Sequence, residues 1–174
     1  MVAGRVGSVL VLAAAMLGAS IGTGHSAKDV TTTSGLPIPR YVSLKSDYVN
    51  VRAGPTKDND VAWTYTRSGL PVEITAEYEN WRRVRDSEGA EGWVYHSMLS
   101  GRRTAVVTMK KKDDLAPIYD RADPDSAVAA RLQAGVVAQV KKCSSGWCRV
   151  VGNGFDGWIE QQRLWGVYAD EKVD

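Results

Sequence analysis

Trp81-Arg82-Arg83-Val84-Arg85-Asp86-Ser87-Glu88-Gly89-Ala90-Glu91-Gly92-Trp93-Val94 sets two tryptophan-bearing apolar segments on either side of a Ser-Glu-Gly turn, and Leu99-Ser100-Gly101 closes the stretch. The chain then does it again. Trp147-Cys148-Arg149-Val150, Gly157-Trp158-Ile159 and Leu164-Trp165-Gly166 repeat the landmarks in order. The two tryptophans of a copy stand 12 residues apart in the first and 11 in the second, and the closing Leu follows 6 residues later in both. An offset of 65 to 66 residues held across four landmarks marks an internal repeat, and therefore two modules of one architecture.

Around the first copy, strand signals recur at short intervals. Tyr41-Val42-Ser43-Leu44 and Tyr48-Val49-Asn50-Val51-Arg52 precede a turn at Ala53-Gly54-Pro55, and residues 61–66 precede a turn at Arg67-Ser68-Gly69. Residues 72–76 complete the set before Trp81. In the second copy Leu115-Ala116-Pro117-Ile118-Tyr119 stands where residues 48–52 stood, and Gly135 matches Gly69 at the offset of 66. Pro117 inside a strand suggests an edge or a bulge. Residues 127–132 lack polar/apolar alternation and suit a helical turn equally well; analogy with the first copy makes them a strand. Arg103-Thr104-Ala105-Val106-Val107-Thr108-Met109 reads as a strand that couples the modules, and Lys110-Lys111-Lys112-Asp113-Asp114 as a solvated turn that compensates its own charge. No long 3.6-residue period follows residue 27, so the expected class is all-β.

The first 27 residues differ from the rest. They hold one Arg (Arg5), no acidic residue, the apolar run Val9-Leu10-Val11-Leu12-Ala13-Ala14-Ala15-Met16-Leu17 and then small residues ending in His25-Ser26-Ala27. That order is the order of a secretory signal peptide, and the run is short for a membrane span. Ser20, Gly24 and Ala27 each offer a cleavage position, and an uncleaved segment would be the chain's route to a membrane. The expected organisation is a signal peptide over residues 1–27, a linker over 28–35, a first module over 36–107 and a second over 108–174. The expected location is exported and periplasmic.

The two cysteines agree with export. Cys143 and Cys148 flank Ser144-Ser145-Gly146-Trp147, in which Ser-Ser-Gly reads as a hairpin turn that would set the thiols on facing strands. A disulfide is the natural state in an oxidising compartment, and closing so short a loop stabilises by about 2 kcal/mol in the chain-entropy model. Charge excludes a class of partner. Residues 36–107 carry 10 basic and 9 acidic side chains and residues 108–174 carry 10 of each, without the excess that nucleic-acid binding requires. The local cluster Arg82, Arg83, Arg85, Arg102 and Arg103 is expected to pair with Glu77, Glu79, Asp86 and Glu88 on neighbouring strands.

These residues resemble a family. Tyr48-Val49-Asn50-Val51-Arg52-Ala53-Gly54-Pro55, the Trp81 strand, Gly92-Trp93-Val94 and Met98-Leu99-Ser100-Gly101 are similar to the bacterial Src-homology-3-like (SH3-like) domain, with its Asn-Val-Arg-x-Gly-Pro opening, central Trp and Gly-Trp-Val strand. The second copy keeps the Trp, Gly-Trp and Leu landmarks but opens with Ala116-Pro117-Ile118-Tyr119-Asp120. The resemblance implies two tandem, partly open, five-stranded barrels and a binding or targeting role in the cell envelope. Members often accompany peptidoglycan hydrolase domains. A module of about 60 residues is marginally stable alone, so the disulfide and the packing of one module on the other are expected to compensate.

Catalytic constellations are hard to assemble from these residues. With cleavage beyond His25, His96 is the remaining histidine, and its neighbours Tyr95 and Ser97 make no triad by adjacency. Oxidised cysteines supply no nucleophile. Glu88, Glu91, Asp156 and Glu160 lie near turns, and a glycosidase would need two carboxylates about 5–10 Å apart in a cleft. The expectation is a non-enzyme without cofactor or metal. The aromatic bias, six Trp and seven Tyr to one Phe, suits shallow faces that stack on sugars or clamp extended peptides. Tyr48, Asn50, Arg52, Trp81, Trp93, Tyr95 and His96 are the expected ligand-binding residues, with Arg52 as a carboxylate partner. Parity adds a condition: Trp81 and Val84 fall on opposite faces of a regular strand, so a core Val84 turns Trp81 outward or onto the barrel edge. The expected partners are peptidoglycan or its stem peptides, or else another envelope protein; a wall hydrolase is the remote alternative.

Overall fold

In Val49-Asn50-Val51-Arg52 both valines are fully buried, Asn50 is exposed and Arg52 is half-buried, so alternate side chains go to a core and to an outer face. The computed structural model describes residues 32–109 and 114–174; the expected signal peptide and nearly all of the Lys110–Asp114 turn lie outside them. Strands β1 (Arg40–Leu44), β2 (Val49–Arg52), β3 (Val61–Tyr65), β4 (Pro71–Tyr78), β5 (Trp81–Arg85), β6 (Glu91–Tyr95) and β7 (Leu99–Ser100) form one antiparallel sheet in the order β3-β2-β6-β5-β4-β1-β7. Leu44, Val49, Val51, Val72, Ile74, Val84 and Val94 make its core. Trp63 and Tyr65 from one end of the sheet and Leu99 from the other pack on that same cluster, so the sheet curls around one interior as a small barrel.

The second sheet repeats the first. Strands β8 (Thr104–Val107), β9 (Leu115–Tyr119), β10 (Val128–Gln133), β11 (Val137–Ser144), β12 (Trp147–Gly152), β13 (Phe155–Glu160) and β14 (Leu164–Trp165) follow the order β10-β9-β13-β12-β11-β8-β14. Even the irregularities recur, with register shifts between Ile74 and Ala76 and between Val140 and Lys142. The ambiguous residues 127–132 contribute β10, a strand. Pro117 is not on an edge, because β9 has neighbours on both sides, although its pairing with β13 is confined to Tyr119 and Trp158.

Two expectations need correction. Each sheet has seven strands rather than five, because an opening strand and a two-residue closing strand pair with each other beside β4 or β11. The strand of residues 104–107 belongs to the second sheet, four residues before the expected boundary, because its backbone pairs with β11 and β14. The residues expected as a linker also differ at their described end: Ser34 donates from its backbone N–H (2.8 Å) and Oγ (2.7 Å) to the Glu77 carboxylate.

Cys143 and Cys148 face each other across β11 and β12, are joined by a disulfide and lie fully inside the second core. Glu77 closes one end of the first barrel. Its side chain is 1% exposed and meets Arg40 (2.6 Å) and Arg82 (3.2 Å) as well as Ser34. Burial pushes its pKa up, but hydrogen bonds from Ser34 and Arg40 outweigh that and hold it below the ordinary carboxylate value. A depressed folded-state pKa gives stability that is present above the unfolded value, about 4.3, and lost as pH falls through the folded one. Glu77→Gln is therefore expected to melt further below the native protein at pH 7 than at about pH 3. Calorimetry at the two pH values checks this, and an equal gap at both would contradict it.

The modules meet through side chains outside both cores. Tyr41 of β1 lies edge-on to Trp165 (5.1 Å) and against Tyr168 (4.6 Å). The Tyr168 hydroxyl donates to Glu73 Oε1 at 2.9 Å, and Arg85 holds Glu73 Oε2. The buried Thr104 hydroxyl, at the start of β8, donates to the Gly69 carbonyl at 2.7 Å. The expected coupling role of this strand rests on that bond; Arg103, just before it, stays within the second module, where it pairs with Glu171 (2.7 Å) and donates to the Gly166 carbonyl (2.9 Å).

Candidate functional site

The outer face of the first sheet gathers most of the expected ligand-binding residues by register. Arg83, Trp93 and Arg52 lie side by side across β5, β6 and β2, and Trp81 pairs with Tyr95 one step along. β5 is regular along its pairing with β6, so parity holds: Val84 is in the core and Trp81 is on the opposite face. Asn50 lies on this face too, where the Thr64 hydroxyl donates to its Oδ1 at 2.8 Å. His96 opens a short 3₁₀ turn after β6, with its ring 5.0 Å from that of Tyr95.

The residues differ in what a ligand could touch. Tyr48 is 77% exposed and makes no aromatic stack among the described residues. Trp93 and Tyr95 are half-buried, and Asn50 and His96 are exposed. Trp81 departs from the ligand-facing expectation, because it is only 7% exposed and the Tyr95 ring packs edge-on against it at 5.4 Å. Tyr95 therefore presents the accessible ring where Trp81 was expected to. Arg52 also departs from its expected part. Its Nη1 donates to the Asn59 carbonyl at 2.6 Å, so the guanidinium ties down the β2–β3 loop.

Four of the five arginines of the basic cluster form ion pairs, Arg82 with an expected acid and the other three with acids not expected, whereas Arg102 makes none among the described residues. Arg82 meets Glu77, Arg83 meets Glu91 (2.7 Å), Arg85 meets Glu73, and Arg103 meets Glu171. Three of these acids were not expected: Glu73 and Glu91 stand opposite Arg85 on the strands to either side of β5, and Glu171 lies beyond β14. The Tyr65 hydroxyl donates to Asp86 Oδ2 at 2.9 Å, and burial, reinforced by Asp86, pushes its pKa well up, so it stays a protonated donor. No hydrogen bond of the His96 ring is present among the described residues, and no cluster of His, Cys, Asp and Glu there would hold a metal ion.

The second module repeats the face with other chemistry. Arg149 stands opposite Trp158 and pairs with Asp156 (2.8 Å), as Arg83 stands opposite Trp93 and pairs with Glu91. Tyr119 occupies the position of Arg52 beside the second Trp, and Glu160 the position of Tyr95 beside the first.

The profile of the bacterial SH3 domain family matches residues 45–101 and again residues 112–166. Among solved structures the chain is similar to NlpC2 from Trichomonas vaginalis, with 17% identity and a TM-score of 0.34 over 78% of this chain and 50% of that one. It is also similar to NlpC1 from Trichomonas vaginalis, with 16% identity and a TM-score of 0.32 over 76% and 48%. The chain thus spans about half the length of those two proteins. No curated protein matches it.

Proposed function

Because the chain belongs to the bacterial SH3 domain family in two successive copies, we propose that it is a non-catalytic, exported protein of the periplasm that binds peptidoglycan or its stem peptides. The observation that carries this reading is the outer face of the first sheet, where Trp93 and Tyr95 present ring surface beside exposed Asn50 and His96, with the exposed Tyr48 one residue before β2. Such amphipathic rings supply contact area at low entropic cost and leave polar groups to orient a sugar or a peptide. Co-sedimentation with purified peptidoglycan tests it. The native protein is expected in the pellet, and a Tyr48→Ala/Tyr95→Ala variant is expected to lose about tenfold in apparent affinity. No enrichment of the native protein over that variant would overturn wall binding through this face, and release of soluble muropeptides would overturn the non-catalytic reading.

A second reading, a scaffold for another envelope protein, is favoured by the sheet edges. β3 and β10 each end a sheet, as do the two-residue strands β7 and β14, and Val61 and Val128 on the longer pair are exposed. An open edge with exposed apolar side chains accepts an added strand from a partner. Capture of a protein from envelope extract that wall digests fail to displace would support it.

A further inference from the structure

The exchange of Tyr95 for Glu160 uncovers an indole. Trp81 is buried beneath Tyr95, whereas Trp147, its counterpart opposite Glu160, is half-exposed and packs edge-on to Tyr119 at 5.6 Å. The chain beyond β14 then builds a wall near it. Gln161 is buried, and its Nε2 donates to the carbonyls of Tyr168 (2.7 Å) and Glu171 (3.0 Å). Both acceptors demand N–H, so they fix which way the amide faces. Arg103 and Glu73 hold Glu171 and Tyr168 in turn. The result is a groove of about 410 Å³ lined by Trp147, Glu160, Gln161, Val167, Ala169 and Asp170, among others.

The charge of this groove has one sign. Glu160 and Asp170 line it, and no basic side chain does so among the described residues. Arg163 engages Glu160 Oε2 at 2.6 Å and leaves Oε1 without a partner, and Asp170 has no ion pair among the described residues. Gln161, which also lines the groove, keeps its Oε1 buried and without a hydrogen-bond partner. An indole face attracts cations through its quadrupole. Two carboxylates and an aromatic wall are complementary to a group that carries N–H donors and positive charge together.

We propose that this groove binds the protonated primary amine of an amine-bearing peptide. Trp147 packs against the aliphatic arm, and Glu160 and Asp170 receive the ammonium. The site is separate from the face of the first module, and failure of wall binding there leaves it standing.

The test is an NMR titration of the protein with N-acetyl-lysyl-alanyl-alanine and with the same peptide acetylated on the lysine side chain, which removes the charge and its cation–π partner. The Trp147 indole resonance is expected to move most. Side-chain acetylation of the peptide, or Glu160→Gln with Asp170→Asn, weakens binding about tenfold. Because both substitutions are isosteric and lie on partly exposed residues, the remaining indole resonances should stay in place and report an intact fold. Equal response to both peptides, movement of Trp81 and Trp93 in place of Trp147, or no response at about 50 mM peptide, well above the range of about 1 mM at which weak sites fill, would overturn the proposal.

Discussion

Gly166→Ala is expected to lower the melting temperature by about 10 °C, whereas Gly101→Ala leaves it close to the native value. The two glycines occupy the same landmark, two residues after the closing Leu of each module, yet their surroundings differ. Gly166 sits at φ 121°, where side-chain-bearing residues are strained, and a Cβ there would lie 2.5 Å from the Thr104 carbonyl oxygen and 2.9 Å from Ala105 Cα. Both contacts are backbone of β8, which is held by β11 and cannot retreat. Gly166 also lends its carbonyl to Arg103. Strain and overpacking together cost about 3 kcal/mol. Around Gly101 a Cβ meets nothing within 4 Å. Calorimetry of the two variants decides the matter, and equal losses would mean that the repeat, rather than the local packing, sets the role of this glycine.

Glu73→Ala is expected to cost about 2 kcal/mol and to loosen one module from the other. Glu73 is buried, with one oxygen held by Arg85 and the other by the Tyr168 hydroxyl of the second module. The Arg85 side chain is 46% exposed, so water screens that ion pair and its share is modest. The larger part comes from the Tyr168 hydroxyl, which loses its acceptor inside an aromatic cluster with Tyr41. Burial and Glu73 push the Tyr168 pKa well up, so the hydroxyl remains a donor well into the alkaline range. A double-mutant cycle with Tyr168→Phe is expected to show a coupling of about 1 kcal/mol. A coupling near zero would mean that this contact does not join the modules.

Much of the fold was legible in the sequence because its signals are local. A strand shows its period in the order of its own side chains, so residues 48–52 read as a strand, and parity alone set Trp81 and Val84 on opposite faces. The five-residue spacing of Cys143 and Cys148 around a Ser-Ser-Gly turn foretold their facing positions. The candidate face was legible in part. Register brought Arg52, Trp93, Tyr95 and Trp81 together on one face, but the burial of Trp81 depends on a ring from another strand. The grip of Arg52 depends likewise on a loop carbonyl seven residues away. Neither leaves a mark in the residue's own neighbourhood.

Residue order alone establishes two copies of one all-β module, the run of most of their strands, and the difference between the copies in openings and cysteines. Folding in three dimensions was needed to show that residues 104–107 belong to the second module, that Glu73 meets Tyr168 across 95 residues of chain, and that the C-terminal segment helps form the groove beside Trp147. The physical reason is the range of the interactions. Side-chain alternation and turn chemistry act over a few residues and are written in their order, whereas a hydrogen bond or a ring contact between modules depends on how two finished surfaces meet.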